Sequence, residues 1–195
     1  MNIIVFTGFL ILTLFLFFSI NMSVYAGSEQ ENVILKMSRE LEEWNIKRLS
    51  AVQSDPKSNL REFETDGCSG GLSDAWLGFG KILPQFQQHF GNRPPWELCC
   101  VNHDRAYWQG VTENGFSKRL QADQELKQCV YDYGTENSKR LAAKFNLSED
   151  KIVSQFKLTS ILMYRAVRLG GKPCSYLPWR WGYGWPHCAL SQEQD

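Results

Sequence analysis

Apolar side chains recur at the helical period close to the start of the chain. Between residues 29 and 50, Ile34, Met37, Leu41 and Trp44 follow one another at steps of three and four. An α-helix has 3.6 residues per turn, so this spacing places the four side chains on one face. The pattern predicts an amphipathic helix over residues 29–50 whose apolar stripe faces the protein core.

A longer amphipathic helix is predicted near the end of the chain. Ser148 is a favourable N-cap, and Glu149 and Asp150 follow in the first turn, where the helix dipole favours negative charge. The helix extends to Leu169 and ends at Gly170-Gly171. Its apolar stripe consists of Ile152, Phe156, Met163 and Val167.

Shorter helices are predicted between these two, separated by glycine, proline and asparagine breakers. They cover Ile82–Phe90, Trp96–Gln109, Ser117–Tyr133 and Ser138–Phe145. The Ser117–Tyr133 helix is expected to stop at Gly134. Residues 65–73 (TDGCSGGLS) are rich in Gly and Ser, which predicts an irregular segment. The chain is therefore expected to be mainly α-helical.

The first 26 residues have the character of a targeting segment. Fourteen of the 18 residues from Ile3 to Ile20 are apolar, and residues 1–26 carry no charge. Val24-Tyr25-Ala26 has the small residues of a cleavage site. We expect a signal peptide over residues 1–26, or a membrane anchor if this segment is not cleaved. Residues 27–195 are then expected to form one exported domain, periplasmic or extracellular.

The charge balance narrows the class of protein. The 195 residues include 21 basic and 21 acidic side chains, so that the formal net charge is zero. A nucleic-acid-binding protein normally carries an excess of positive charge, and this balance excludes a strongly basic one. The length favours a single domain, and no feature of the sequence predicts a protein partner.

The chain has an even number of cysteines, all of them after the targeting segment. They are Cys68, Cys99, Cys100, Cys129, Cys174 and Cys188. In an exported protein this predicts disulfide bonds. The vicinal Cys99 and Cys100 are expected to bond to two different partners. A zinc site built from His103, His187 and neighbouring cysteines is the alternative, although the spacing fits no zinc-finger pattern.

The tail from Pro173 to His187 is rich in aromatic residues. Trp179, Trp181 and Trp185 lie within seven residues, and Cys174 and Cys188 bracket the stretch. Tryptophan and tyrosine favour the interface between membrane and water, so the tail predicts contact with a phospholipid surface. The alternative is that these rings pack over the helices as a lid.

One segment combines residue types that are suited to catalysis. His103 and Tyr107 share a helix face, because they are four residues apart. Histidine transfers protons near neutral pH, and a carboxylate such as that of Asp104 binds hard cations such as calcium. The glycine-rich segment Gly67–Gly71 is expected to supply backbone carbonyl oxygens to the same cation.

These motifs resemble those of the secreted phospholipase A2 family. Residues 99–107 (CCVNHDRAY) are similar to the family's CCxxHD signature, in which a tyrosine follows four residues after the histidine. Residues 67–71 (GCSGG) are similar to its calcium loop, xCGxG, with Ser69 in place of the first glycine. Asp123 stands six residues before Cys129, as an aspartate does in the family's second catalytic helix. The three motifs lie within about a third of the chain.

The resemblance implies a calcium-dependent enzyme that hydrolyses the sn-2 ester of glycerophospholipids at a membrane surface. By this resemblance His103 is the general base that activates water, Asp123 orients its imidazole, and Tyr107 hydrogen-bonds to Asp123. The implied calcium ligands are the carboxylate of Asp104 and the carbonyl oxygens of Gly67, Ser69 and Gly71. On the residues alone, Glu125 is an alternative to Asp123 as the partner of His103.

The resemblance also implies which cysteines form disulfide bonds. The implied bonds are Cys68–Cys100 and Cys99–Cys129, which leaves Cys174–Cys188. Cys99–Cys129 would join two antiparallel catalytic helices, so the implied fold is mainly α, with disulfide-linked helices, and phospholipase A2-like. A non-catalytic phospholipase-like module that binds a membrane or a receptor is the alternative function.

Overall fold

The computed structural model of the chain describes residues 33, 36–68, 80, 81, 84–91 and 93–188. The chain divides into two units, Met1–Leu41 and Glu42–Asp195. In the first unit, residues 36–41 are helical, and Lys36 and Glu40 form an exposed ion pair across one turn at 3.9 Å. The predicted targeting segment lies outside the described residues. Within the described part of the chain, no helix is long and apolar enough to cross a membrane.

The second unit is mainly helical, as predicted. Its described helices are α1 (residues 42–54), α2 (Pro84–Phe90), α3 (Glu97–Gln109), α4 (Gly115–Glu136), α5 (Ser138–Phe145) and α6 (Glu149–Gly170). No strand occurs among the described residues. The predicted N-cap of α6 is confirmed, because the Ser148 hydroxyl accepts a hydrogen bond from the backbone N–H of Lys151.

The helix α4 is longer than predicted at both ends. It begins at Gly115 and ends at Glu136, so Gly134 lies inside the helix and does not terminate it. A Cβ atom on Gly134 would lie 2.3 Å from the Cβ atom of Phe156 on α6. The glycine is therefore needed for the close approach of α4 to α6.

The helices α3 and α4 run antiparallel. Cys99 is bonded to Cys129, and His103 contacts Asp123, so residue numbers rise along α3 as their partners' numbers fall along α4. The helix α6 is antiparallel to α4 in turn, because Gly134 lies against Phe156 and Asp123 contacts Arg168. The middle of α4 is thus enclosed by its two neighbours, which accounts for the complete burial of Asp123.

The apolar stripe predicted for α6 is confirmed. Each of its four members is buried in the core: Ile152, Phe156, Met163 and Val167. Phe156 is surrounded by other rings, with Trp96 and Phe86 in edge contact at centroid distances of 5.3 and 6.4 Å. These rings pack α6 against α2 and against the start of α3.

The apolar stripe predicted for the N-terminal helix does not face the core, and this prediction is wrong. Met37, Leu41 and Trp44 are 64, 52 and 52% exposed, and Ile34 lies outside the described residues. The buried face of α1 instead consists of Glu42, Ile46 and Leu49. Glu42 is buried on this face in an ion pair with Arg119, which is described below.

Three disulfide bonds join these elements: Cys68–Cys100, Cys99–Cys129 and Cys174–Cys188. They are the pairs that the resemblance implied. The alternative of a zinc site is wrong, because no cysteine is free to bind a metal. Disulfide bonds are typical of exported proteins, which mature in an oxidising compartment.

The aromatic tail lies against the C-terminal end of α3. Gly110 ends this helix in the left-handed conformation, with φ of 57°. A Cβ atom on Gly110 would lie 2.2 Å from the Cα atom of Gly182 in the tail. The Gly182 N–H donates to the carbonyl oxygen of Tyr107 at 2.6 Å. The tail is therefore fixed beside the last turn of α3, one turn after His103.

Candidate active site

Two neighbouring helices place a histidine against an aspartate. His103 on α3 and Asp123 on α4 are both buried, and His103 Nε2 lies 2.9 Å from Asp123 Oδ1. A carboxylate oxygen only accepts hydrogen bonds, so in the neutral imidazole Nε2 carries the hydrogen and Nδ1 keeps a lone pair. The buried Nδ1 atom has no hydrogen-bond partner among the described residues. The imidazole is thus oriented at one nitrogen and able to accept a proton at the other.

Tyr107 completes this arrangement one turn after His103. Its hydroxyl donates to Asp123 Oδ1 at 2.7 Å, and its ring lies 4.1 Å from the imidazole, centroid to centroid. Burial and the negative charge of Asp123 raise the pKa of Tyr107 well above its ordinary value. The hydroxyl therefore keeps its proton and acts as a hydrogen-bond donor to the carboxylate.

The alternative partner of His103, Glu125, is directed elsewhere. It is exposed, and its carboxylate accepts a hydrogen bond from Gln121 Nε2 at 2.8 Å. The buried face of α4 contains Arg119, Ala122, Asp123 and Leu126, at the spacing of three and four residues expected for one helix face. Glu125 falls outside that face, so the structure brings Asp123, and not Glu125, against His103.

The electrostatic surroundings of His103 favour its protonated form. Burial lowers the pKa of His103, but the carboxylates of Asp104 and Asp123 raise it by more, so that it lies above the ordinary value of 6.5. Asp104 is the next residue along α3, with Oδ1 3.9 Å from His103 Nδ1. Negative charge on both sides of the ring stabilises the imidazolium that forms when Nδ1 accepts a proton.

A cavity of about 490 Å³ opens beside His103 and Asp104. This volume is in the range of small-molecule binding sites. Aromatic rings from α3 and from the tail form part of its wall: Trp108, Trp179 and Tyr183. Carboxylates form another part: Glu62, Glu64, Asp66 and Asp104. The candidate general base therefore faces a cavity with both an apolar and an anionic wall.

The predicted calcium ligands are described only in part. Ser69 and Gly71 lie outside the described residues. Asp104 lines the cavity, and its Oδ2 accepts a hydrogen bond from the Thr65 hydroxyl at 2.6 Å. The same hydroxyl accepts from the backbone N–H of Gly67 at 3.0 Å, so Gly67 and Asp104 are connected through one side chain. The bond Cys68–Cys100 fixes this segment to the turn of α3 before His103.

The donor set is compatible with calcium as far as the structure describes it. Calcium prefers oxygen ligands, and among the described residues the Asp104 carboxylate and the Gly67 carbonyl group can supply oxygen. Among the described residues, no group of three or more His, Cys, Asp or Glu side chains is placed to bind a metal ion.

Sequence analysis missed three charged residues behind Asp123. Arg168 on α6 donates from Nη1 to Asp123 Oδ2 at 2.9 Å and from Nη2 to Glu42 Oε2 at 3.2 Å. The fully buried Arg119 donates to both carboxylate oxygens of Glu42, at 2.6 and 2.7 Å. Arg119 precedes Asp123 by four residues, which was the one signal in the sequence that they share a helix face.

The tail is only partly exposed. Trp181 is buried against Tyr107, with ring centroids 5.2 Å apart, which agrees with the alternative of a lid over the helices. Leu169, Tyr176 and Leu177 are instead exposed, at 76, 87 and 38%. Tyr176 and Leu177 directly precede Pro178 and Trp179, which line the cavity. The side chains of Leu177 and Trp179 lie next to Gly170, the residue that follows Leu169. An apolar rim of Leu169, Tyr176 and Leu177 therefore lies near the cavity.

Comparisons of the chain with protein-family models, with curated proteins and with solved structures give no match. Function is therefore inferred from two features of the chain. One is the geometry of His103, Tyr107 and Asp123 beside a cavity. The other is the resemblance of the motifs that contain these residues to the motifs of the secreted phospholipase A2 family.

Proposed function

We propose that the chain is a calcium-dependent phospholipase A2, which hydrolyses the sn-2 ester of glycerophospholipids to a fatty acid and a lysophospholipid. The observation that carries this proposal is the His103 imidazole. It donates through Nε2 to Asp123, and its Nδ1 has no hydrogen-bond partner among the described residues and lies beside a cavity that Asp104 also lines. A water molecule in that cavity would be the nucleophile, and Nδ1 the general base.

The proposed reaction uses these groups in the following order. Nδ1 of His103 takes a proton from water while the water oxygen bonds to the ester carbonyl carbon. Asp123 stabilises the imidazolium that results, with its carboxylate held by the Tyr107 hydroxyl. The bond from the carbonyl carbon to the sn-2 oxygen then breaks, and His103 returns the proton to that oxygen. The products are the fatty acid and the alcohol of the lysophospholipid.

Asp104, with the carbonyl oxygens of Gly67, Ser69 and Gly71, would hold the calcium ion. When bound, calcium supplies positive charge for the substrate phosphate and for the negative charge that develops on the carbonyl oxygen. The Thr65 hydroxyl keeps the Asp104 carboxylate in place by its hydrogen bond of 2.6 Å. Asp104 therefore has two roles in the proposal, as a ligand and as a negative charge beside the imidazole.

The apolar rim supports a phospholipid surface as the source of the substrate. Leu169 and Tyr176 are largely exposed, and the transfer of an exposed apolar side chain from water into a membrane interface lowers the free energy. The rim lies beside the cavity, so binding there would bring the substrate close to His103. Only two basic residues, Lys172 and Arg180, occur between Leu169 and Cys188, and Arg180 is buried, so attraction to anionic lipid is expected to be modest.

The test is release of fatty acid from phospholipid vesicles by the purified, disulfide-bonded protein. Release should require calcium, stop in the presence of a chelator, and be lost in His103→Gln and in Asp104→Asn. A matched control is His89→Gln, because His89 is exposed and contacts Lys144, away from the cavity. This variant should hydrolyse phospholipid at the rate of the wild type.

Two outcomes would contradict the proposal. Folded protein that binds vesicles without releasing fatty acid would indicate the non-catalytic binding module. Release that continues at the wild-type rate in His103→Gln would show that the hydrolysis occurs at another site or in a contaminant.

A further inference from the structure

The two carboxylate oxygens of Asp123 have separate partners. Oδ1 accepts hydrogen bonds from His103 and Tyr107, whereas Oδ2 accepts from Arg168 Nη1 at 2.9 Å. The two oxygens belong to one rigid planar group, so a bond that fixes Oδ2 also fixes the direction of Oδ1. A charged donor makes this bond stronger than a neutral donor would. Arg168 is thus placed to determine how Asp123 faces the imidazole.

Arg168 is itself held from two further sides. Its Nη2 donates to Glu42 Oε2 at 3.2 Å, and its guanidinium carbon lies 5.5 Å from the centre of the Phe116 ring. A planar guanidinium can bridge two carboxylates at fixed angles, which the ammonium of a lysine cannot do. The side chain is 18% exposed, so it reaches Asp123 from the edge of the core.

Arg119, the other arginine near Asp123, does not have this role. Arg119 is committed to both oxygens of Glu42, to the Tyr107 hydroxyl and to the backbone carbonyl of Val167. Its nearest approach to Asp123 is 3.6 Å, too long for a hydrogen bond. Loss of Arg168 would leave the pair of Arg119 and Glu42 in place, so α1 and α4 would remain joined.

We propose that Arg168 is a positioning residue for the hydrolysis. It holds the Asp123 carboxylate in the direction in which Asp123 accepts the hydrogen bond of His103 and so fixes the imidazole. This inference rests on the proposed function for its kinetic consequences. Arg168 does not touch the substrate in this proposal, and it acts only through Asp123. It follows that its loss should slow the chemical step and leave binding to vesicles unchanged.

The test compares Arg168→Gln with Arg168→Lys and with Arg165→Gln, in the full disulfide-bonded protein. Arg165 is an exposed arginine on the same helix and serves as the matched control. We expect Arg168→Gln to lower kcat by about 10- to 100-fold with KM unchanged, because a misplaced catalytic group has effects of this size. Arg168→Lys should retain an intermediate kcat, and Arg165→Gln that of the wild type. Far-UV circular dichroism and urea unfolding check that each variant is folded.

A double-variant cycle tests whether Arg168 acts through Asp123. If it does, Arg168→Gln should add no further loss of kcat to Asp123→Asn, since residues that act as one unit are not additive. Losses that multiply would overturn the inference. A higher KM with unchanged kcat in Arg168→Gln would also overturn it, because that result assigns Arg168 to substrate or surface binding.

A second readout needs no substrate and separates this inference from the proposed function. The Nε2 proton of His103, which donates to Asp123, can be followed by proton NMR. In Arg168→Gln it should exchange with solvent at least about 10-fold faster than in the wild type or in Arg165→Gln, because opening of the pair becomes easier. Absence of hydrolysis in the wild type would refute the proposed function alone. Unchanged exchange in Arg168→Gln would refute the positioning role in either case.

Discussion

Arg119 and Glu42 form a buried bidentate ion pair between residues that are 77 positions apart in the sequence. The pair joins α1 to α4, and neither side chain is more than 2% exposed. Removing one partner of such a pair leaves the other charge buried without compensation. We therefore expect Glu42→Gln to lower the free energy of unfolding by about 3–5 kcal/mol, measured by urea unfolding with the disulfide bonds intact.

The control for this measurement is Glu40→Gln. Glu40 forms an exposed ion pair with Lys36 at 3.9 Å, with side chains that are 62 and 77% exposed. An exposed pair contributes about 0–1 kcal/mol, so this variant should unfold almost as the wild type does. Equal losses in the two variants would show that burial of the pair of Glu42 and Arg119 has no energetic consequence.

Asp123→Asn and Glu125→Gln test which of two carboxylates is the functional partner of His103, a choice that the sequence alone did not decide. Asp123 orients His103, whereas Glu125 is exposed and bonded to Gln121. An asparagine would offer its amide N–H groups to Nε2 and favour the wrong tautomer of the imidazole. We expect Asp123→Asn to lower fatty-acid release by about 10²- to 10⁴-fold. Glu125→Gln should have no effect, and a large loss in this variant would contradict the assignment.

Much of the fold could be predicted because its signals are local. The stripe of α6 and the Ser148 N-cap depend on residues close together in the sequence, and both are confirmed. Gly134 was misread for the opposite reason. Its role inside α4 depends on Phe156, a residue on another helix that no local pattern identifies.

The candidate site was predicted only as far as its motifs extend. His103 and Tyr107 are four residues apart on one helix, so their common face follows from the helical period. Arg168 and Glu42 come from α6 and α1, and their contact with each other and with Asp123 depends on tertiary packing. Nothing in the sequence around Glu42 indicates that its carboxylate is buried. The apolar Trp44 instead suggested that its own face of the helix turns inward, although Trp44 is exposed.

The pKa of His103 in the calcium-free protein should lie above 6.5. Asp123 is one of the two carboxylates that raise it, so Asp123→Asn should lower this pKa, and the exposed Glu125→Gln should leave it unchanged. The folded state then binds the proton more tightly than the unfolded state does. The resulting stabilisation is fully present below the pKa of the unfolded chain and is lost as the pH rises through the pKa of the folded protein.

Proton NMR of the imidazole across a pH titration, in the presence of a chelator, measures this pKa directly. Urea unfolding at several pH values gives the same linkage independently, since the contribution of His103 should decrease as the pH rises. A titration below 6.5 in the wild type would mean that burial outweighs the two carboxylates.

Gly171→Ala should disturb the site through Tyr107. Gly171 follows α6 with an ordinary φ of −78°, so alanine introduces no backbone strain there. Its Cβ atom would lie 2.4 Å from Tyr107 Cε1 and 2.8 Å from the Tyr107 hydroxyl. Tyr107 would have to move away from Asp123, and we expect a loss of about 1–3 kcal/mol in stability together with slower hydrolysis.

The control for Gly171→Ala is Gly91→Ala. A Cβ atom on Gly91 would meet no atom of the described residues within 4 Å, but its φ of 63° makes the substitution strained. This variant should lose about 1–2 kcal/mol of stability and keep its rate of hydrolysis. If both variants slow hydrolysis equally, the effect would come from reduced stability and not from Tyr107.

The apolar rim should determine how the protein uses a phospholipid surface. Tyr176 is 87% exposed and Leu177 is 38% exposed, and neither lines the cavity beside His103. Full transfer of an exposed leucine out of water contributes about 1.5–3 kcal/mol, and a tyrosine ring favours the membrane interface, so Tyr176→Ser with Leu177→Ser should weaken binding to vesicles by about 10-fold. Binding is measured by sedimentation with vesicles of zwitterionic lipid. Hydrolysis of a dispersed short-chain phospholipid should be unchanged, because the cavity is intact.

The control for the apolar rim is Leu98→Ser. This variant removes a leucine that is 70% exposed at the start of α3 and does not line the cavity, and it should leave vesicle binding unchanged. Equal weakening by Leu98→Ser would mean that binding depends on overall surface hydrophobicity and not on the rim.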